Sequence, residues 1–279
     1  MILESILSTM KVQNKVIVVT GGGDGMGREI VLLLLKKGAK VAAVDLRQEA
    51  LDETHAMAEK IGLAEHLSLH LANIANHQRV QELPTEILNI HGSIDGLFNN
   101  AGIIQPFVKI NDLDFPTIDR VMQVNFYGLV FMTKSFLPLL LTRPEAHIVN
   151  TSSMGGFLPV PGQSIYGASK AAVKLFTEGL HSEMRNTKVG VTVVFPGAIQ
   201  THITENSGVK MNMPSDSAAK SDFKMLSATK AAEMIVGAME NNKYRVCVGS
   251  DSKFLDLLYR VNPKFAAGFI AKQMGSLLK

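Results

Sequence analysis

Between residues 16 and 33 the chain passes from a strand to a glycine loop to a helix, and few folds accept that order. Val16-Ile17-Val18-Val19-Thr20 is a β-branched run without polar alternation, the pattern of a strand buried on both faces of a parallel sheet. Thr20-Gly21-Gly22-Gly23-Asp24-Gly25-Met26-Gly27 follows directly, and Arg28-Glu29-Ile30-Val31-Leu32-Leu33 then reads as a helix. Glycines let the backbone turn sharply and approach a pyrophosphate closely, while free N–H groups at the helix start attract its charge. Gly21, Asp24, Gly25, Met26 and Gly27 are therefore candidates for holding a dinucleotide.

A second strand, Lys40 to Val44, ends in Asp45. An acid there accepts hydrogen bonds from adenosine ribose hydroxyls and repels a 2′-phosphate. Leu46 lies beside it, Asp24 in the glycine loop acts in the same sense, and Arg47 is the one contrary charge, so NAD is favoured over NADP. A helix from Gln48 to Ile61 and a strand from His66 to Leu71 follow, with Asn73 and Ile74 placed to contact adenine. The next helix, about Gln78 to Ile90, contains Pro84, which predicts a kink or an interrupted first half. Ile94 to Phe98 then leads into Asn99-Asn100-Ala101-Gly102, a small polar corner suited to a cofactor lying across the sheet edge.

Pro116 suits the first turn of a long helix reaching about Leu141, with Asn125 at its middle. A buried amide there either bonds a neighbouring backbone or holds the water of a proton relay, and the two roles are compatible. The strand His147 to Asn150 delivers Ser152 and Ser153 to the same sheet edge. Tyr166 and Lys170 stand four apart and share a helix face, so an ammonium beside the phenol is expected to lower the tyrosine's pKa. A serine hydroxyl nearby would hold a substrate oxygen against that phenol, which is equipment for moving a proton on and off an alcohol or carbonyl. Val189 to Phe195 is the next strand and ends at Pro196-Gly197, followed by Ile199 and Thr201.

From Glu205 to Ser227 the chain is polar and methionine-rich (Met211, Met213, Met225), either a mobile segment beside the cleft or a loosely packed surface loop. A helix from Ala228 to Asn241, a strand from Arg245 to Gly249 and an apolar tail from Phe254 to Lys279 complete the order. Phe254, Leu257, Leu258 and Val261 recur at helical spacing and predict packing on the body or on another subunit, with a membrane-surface helix as the alternative.

Strands alternate with helices throughout, so the expected fold is α/β: a Rossmann-type doubly wound parallel sheet of about seven strands in one domain spanning 1–279. With 46% hydrophobic and 19% charged residues the chain has a core to bury. A net charge of +3, with its lysines and arginines scattered, gives no footprint for nucleic acid. The single cysteine, Cys247, excludes an internal disulfide and fits a reducing, cytoplasmic compartment. Cys/His metal spacing is absent. Met1 to Leu7 is a poor signal peptide, and the Leu32–Leu35 run, stopped by Lys36 and Lys37, is too short to span a membrane.

With those residues in place, the chain resembles the short-chain dehydrogenase/reductase family in its compact single-domain branch, over roughly residues 12–250. The motifs are Thr20 to Gly27, Asn99-Asn100-Ala101-Gly102, the set Ser153, Tyr166 and Lys170, and Pro196-Gly197 with Thr201. The resemblance implies hydride transfer between a nicotinamide cofactor and a secondary alcohol or ketone, with Tyr166 as acid/base and Ser153 positioning the substrate oxygen. It implies that Lys170 binds the nicotinamide ribose and lowers the tyrosine pKa, and that Asn125 holds a relay water. Thr201 would contact the carboxamide and Asn100 would support the cofactor. Asn73 stands where the family usually has an acid, and Pro84 and the longer tail also depart from its pattern.

Ile104, Pro106, Phe107, Met154, Phe157, Leu158 and Val160, with Met211 and Met213, are the pocket candidates by position, and their apolar character suggests a hydrophobic substrate. Family resemblance implies a homodimer or homotetramer packed through the two long helices. Two other classes remain open: a non-catalytic dinucleotide-binding regulator on the same fold, and an epimerase or dehydratase of nucleotide sugars.

Overall fold

The computed structural model describes residues 10–209 and 225–275. The expectations about Met1–Leu7, Met211, Met213 and the last four residues of the tail lie outside them. The strands are β1 (Val16–Thr20), β2 (Lys40–Asp45), β3 (Leu67–Leu71), β4 (Gly96–Asn99), β5 (Ala146–Thr151), β6 (Val189–Pro196), β7 (Ile199–Gln200), β8 (Leu226–Ser227) and β9 (Arg245–Val248). Seven of them form one sheet in the order β3-β2-β1-β4-β5-β6-β9, with every pair parallel. β7 and β8 pair separately.

Helices cover both faces, which is why the β1 run carries no polar alternation. Ile17 and Val19 join a core with Ile30, Leu34, Ile235 and Met239, supplied by α1 (Gly25–Lys36) and α8 (Ala228–Glu240). Val16 and Val18 join a second core with Leu83, Ile87, Met132, Phe136 and Leu180. Those residues come from α3 (His77–His91), α5 (Leu129–Leu140) and α6 (Ser164–Glu183). The remaining helices are α2 (Gln48–Lys60), α4 (Phe115–Met122), α7 (Ile203–Asn206), α9 (Ser250–Val261) and α10 (Pro263–Met274).

Three expectations change. Pro84 does not interrupt α3, which runs from an Asn76 cap to His91 with Leu83, Pro84 and Ile87 buried; burial of the ring offsets the missing backbone bond. The long helix is not uniform. It starts after an Asp114 cap, follows α4, widens through a π-helical turn at Gln123–Gly128 and continues as α5. Asn125 sits in that wider turn, a device found often at functional sites.

The tail packs on the body, but through a face other than the expected stripe. Leu255, Ala266 and Ile270 bury against Leu158, whereas Phe254, Leu257 and Val261 are exposed and only Leu258 of the expected set is part of the contact. Apolar residues surround α9 on more than one side, so periodicity could not choose the buried face. No helix among the described residues is long and apolar enough to cross a membrane.

Candidate active site

Strand order reverses between β1 and β4, and in parallel sheets ligands bind in the crevice outside such a switch point. Thr20, the last residue of β1, ties the two loops together there. Its hydroxyl accepts from the backbone N–H groups of Asn100 (3.0 Å) and Ala101 (3.1 Å), while Asn100 Nδ2 donates to the Thr20 carbonyl. A cleft opens beside this seam. Gly21, Asp24, Gly25, Met26, Asp45, Leu46, Asn73, Ile74, Asn100, Ala101, Gly102 and Thr201 all line it.

Gly27, Tyr166, Lys170, Pro196, Gly197 and Ile199 are not part of that lining. A Cβ on Gly27 would overlap the Gly21 carbonyl, so this glycine serves close packing of loop on helix. The Ile199 side chain points into the hydrophobic core. Ala72, Arg47, Val124, His202 and Asn206 are lining residues outside the expected set.

Asp24 caps α1 by accepting from Gly25 N at 2.7 Å. The same carboxylate meets His202 Nδ1 (3.1 Å), Asn206 Nδ2 (2.7 Å) and the Arg47 guanidinium (3.6 Å). Burial opposes its charge, yet hydrogen bonds from Asn206, His202 and Gly25 hold its pKa at about 2. The segment from Thr201 to Ser207 is thereby fastened across the glycine loop, and Ser207 Oγ accepts from Ile104 N on the other side (3.0 Å). Nothing local in the sequence signals this, because Asn206 is 182 positions from its partner.

Lys170 and Asn125 meet beside Gly102. A Cβ on Gly102 would lie 3.1 Å from Lys170 Nζ and 3.2 Å from Asn125 Oδ1. Asn125 is fully buried; Ile103 N donates to its Oδ1 at 2.8 Å, and its Nδ2 donates to Ile103 O and to Ser169 Oγ. This is the backbone-bonded buried amide that the sequence predicts. Lys170 Nζ donates to Thr151 O at 2.9 Å, and Ser152 Oγ donates to Lys170 O at 2.7 Å, which locks α6 onto the end of β5. Ser153 Oγ accepts from Gly155 N at 3.0 Å and hydrogen-bonds the Tyr166 phenol.

The expected lowering of the tyrosine's pKa is not found in the protein alone. Burial pushes the phenol up, and the Ser153 bond offsets only part of that. The Lys170 ammonium is engaged by a carbonyl and is itself pulled down by burial to about 8.

The apolar residues expected to form a pocket divide. Leu158 is fully buried, and Met154, Phe157 and Val160 pack with it against α9 and α10. Phe157 also meets Phe195 (ring centroids 5.5 Å apart) and Tyr259 (6.3 Å). The tail therefore packs against all four of these side chains, of which Leu158 alone is fully enclosed. Ile104 is buried, while Pro106 and Phe107 stay half-buried on the loop after β4.

The cleft fits a nicotinamide dinucleotide. Its glycine loop opens the N-terminus of α1, Asp45 stands at the end of β2, and Asn100 keeps a buried Oδ1 that no group among the described residues satisfies. Among the described residues no cluster of three or more His, Cys, Asp or Glu side chains could hold a metal ion.

A family model described as short chain dehydrogenase matches residues 15–212. SadH of Mycobacterium tuberculosis, named as an oxidoreductase, is 36% identical over 254 residues covering 89% of this chain and 91% of SadH. The 3-oxoacyl-(acyl-carrier-protein) reductase FabG of Thermotoga maritima is 33% identical over 198 residues, 70% of this chain and 78% of FabG. A solved short chain dehydrogenase/reductase from Burkholderia phymatum, in complex with NAD, superposes with a TM-score of 0.81 at 26% identity, covering 92% of this chain and 96% of that one.

Proposed function

The chain belongs to the short-chain dehydrogenase/reductase family and is an oxidoreductase of CH–OH groups, and from that premise we propose that it moves a hydride between NAD and a hydrophobic secondary alcohol or its ketone, with Tyr166 as acid/base. The observation that carries this reading is the gathering of Ser153, Tyr166, Lys170 and Asn125 where β4 and β5 end, beside a cleft floored by the glycine loop.

When bound, the dinucleotide supplies or accepts the hydride; the protein supplies orientation and the proton path. Ser153 holds the substrate oxygen against the Tyr166 hydroxyl, which gives or takes the proton. Lys170 binds the nicotinamide ribose and, with a pKa near 8, passes protons readily. Asn125 holds the water through which that proton reaches solvent. Thr201 and Asn100 steady the nicotinamide side, and Asp45 takes the adenosine ribose.

Two acids at the cleft support NAD over NADP. Arg47, the one arginine or lysine lining the cleft among the described residues, is already held by Asp24 at 3.6 Å. Asp45 also accepts from Gly23 N at 3.0 Å, so its loss loosens the loop for either cofactor. The informative quantity is therefore the ratio of kcat/KM for NAD over that for NADP. In Asp45→Ala this ratio falls by about tenfold or more, the equivalent of one hydrogen bond to a charged group at roughly 1.5 kcal/mol. An unchanged ratio removes Asp45 from cofactor choice.

FabG's name suggests a 3-hydroxyacyl compound as one substrate form to test. Reduced-nicotinamide absorbance with NAD and NADP is followed against short aliphatic, cyclic, steroid, sugar and 3-hydroxyacyl alcohols. Turnover of the hydrophobic members is expected; turnover confined to sugars would overturn the substrate class. Exposed Phe115 on α4 and Leu175 on α6 (81% and 70%) support a homodimer or homotetramer packed through these helices, which sedimentation reads directly.

A further inference from the structure

Helix α6 carries Tyr166 in its first turn, and the residue before it, Gln163, makes no capping bond. The first N–H groups of a helix have no acceptor within it. Here the acceptor comes from elsewhere in the chain. Ile165 N and Tyr166 N both donate to Oε1 of Gln105, each at 2.9 Å, across about sixty positions of sequence. Gln105 Nε2 donates to Gly162 O at 2.9 Å, and the Gln105 carbonyl accepts from Gln163 Nε2 at 2.8 Å. The residue is fully buried. Both ends of one amide are thus spent on the entry to a single helix.

Its neighbours are committed in the same way. Ile103 holds both ends of the Asn125 amide, and Ile104 N holds Ser207. Three consecutive residues after the Asn99–Gly102 corner therefore grip three different walls of the site. Only the third touches the backbone of the residue that bears the phenol.

We propose that Gln105 is a positioning residue for the reaction: it fixes the first turn of α6, and through the Tyr166 backbone it sets the phenol against Ser153. This deepens the assignment of Tyr166 as acid/base and rests on it. Register is the mechanism. A helix start that slides carries its first side chains with it, and displacements of about 1 Å at reacting groups cost roughly 100-fold in rate. An acceptor is the essential part, because the helix N-terminus presents donors and favours negative charge.

Gln105→Met keeps the volume and removes the polar end. Gln105→Glu keeps an acceptor for both N–H groups but forfeits the donor to Gly162. Each is made in the full chain and measured for NADH binding by fluorescence, for Tm, and for kcat on an alcohol that the unmodified protein turns over. Val236→Ala, in the core of α8 away from the site, is the control for lost stability. In Gln105→Met, kcat falls by about 10- to 100-fold while the NADH Kd moves by less than about twofold. Gln105→Glu recovers most of that kcat although its Tm is no higher, and Val236→Ala keeps kcat despite a lower Tm.

If Gln105→Met does not fold, Gln105→Asn carries the test, since its amide is one methylene too short to reach the helix and its kcat falls in the same way. A folded Gln105→Met or Gln105→Asn with unmodified kcat overturns the proposal, as does kcat that tracks Tm across all the variants. Turnover surviving in Tyr166→Phe would instead overturn the acid/base assignment. An inactive Tyr166→Phe beside fully active Gln105 variants overturns only the role of Gln105.

Discussion

Phenylalanine in place of Tyr166 lowers kcat by about 10²- to 10⁴-fold, the usual contribution of a placed general acid/base, and leaves NADH binding intact. The substitution removes one oxygen. Ring packing beside Gly155 is retained, since a Cβ on that glycine would already be within 3.4 Å of Tyr166 Cε1. Ser153 Oγ keeps its bond from Gly155 N, so no buried group is stranded. The backbone anchor to Gln105 does not involve the side chain. Tyr166 does not line the dinucleotide cleft, which is why binding is expected to survive. Fluorescence titration with NADH and single-turnover absorbance together separate the outcomes. Unmodified turnover would take Tyr166 out of the chemistry, and lost NADH binding would make it a structural residue.

The parts of this site that could be read in the sequence are those built from neighbours along the chain. The glycine loop announces itself because strand, loop and helix are consecutive, and Asp45 because it closes the next strand. Tyr166 and Lys170 are a helical pair. Residues whose meaning depends on a distant partner stay silent. Gln105 stands between candidate pocket residues Ile104 and Pro106 and looks like a lone amide in an apolar loop; its value lies sixty positions away. Asp24 reads as a charge against a 2′-phosphate, yet its carboxylate also fastens His202 and Asn206. Met154, Phe157 and Val160 lie just before Tyr166 in sequence, but α9 and α10 take them as a docking face. The phenol's pKa follows the same rule. Spacing to Lys170 is local and visible, whereas burial, which dominates, is a property of the whole fold.

Burial of another titrating group gives the largest expected effect on stability. His147 lies on β5, 2% exposed. Its Nε2 is 2.8 Å from Thr192 Oγ1, and that hydroxyl's one hydrogen goes to Lys243 O at 2.6 Å. The imidazole must therefore donate from Nε2, which assigns the neutral tautomer with Nδ1 bare. Gly190 faces that bare edge so closely that a Cβ there would overlap Nδ1. Burial, and then the nearby His181, pull the folded pKa down to about 3. An unfolded histidine titrates near 6.5, so between those values the unfolded chain binds a proton that the folded chain refuses. The His147 contribution is then constant above about pH 6.5 and falls by roughly 1.4 kcal/mol per unit below it, about 2 kcal/mol by pH 5. His70 and His91 are also pulled down by burial and add to the fall in the same direction. The carboxylates with lowered pKa values, Asp24, Glu86 and Asp114, lose their contribution only at more acid pH, so the interval from 6.5 to 5 isolates the histidines. Urea unfolding at pH 7 and pH 5 reads the difference directly. His147→Gln, which keeps an N–H donor for Thr192 and does not titrate, is expected to retain only the smaller loss due to His70 and His91. An unmodified protein equally stable at both values, or a His147→Gln variant with an undiminished loss, would show that His147 accepts its proton in the folded state.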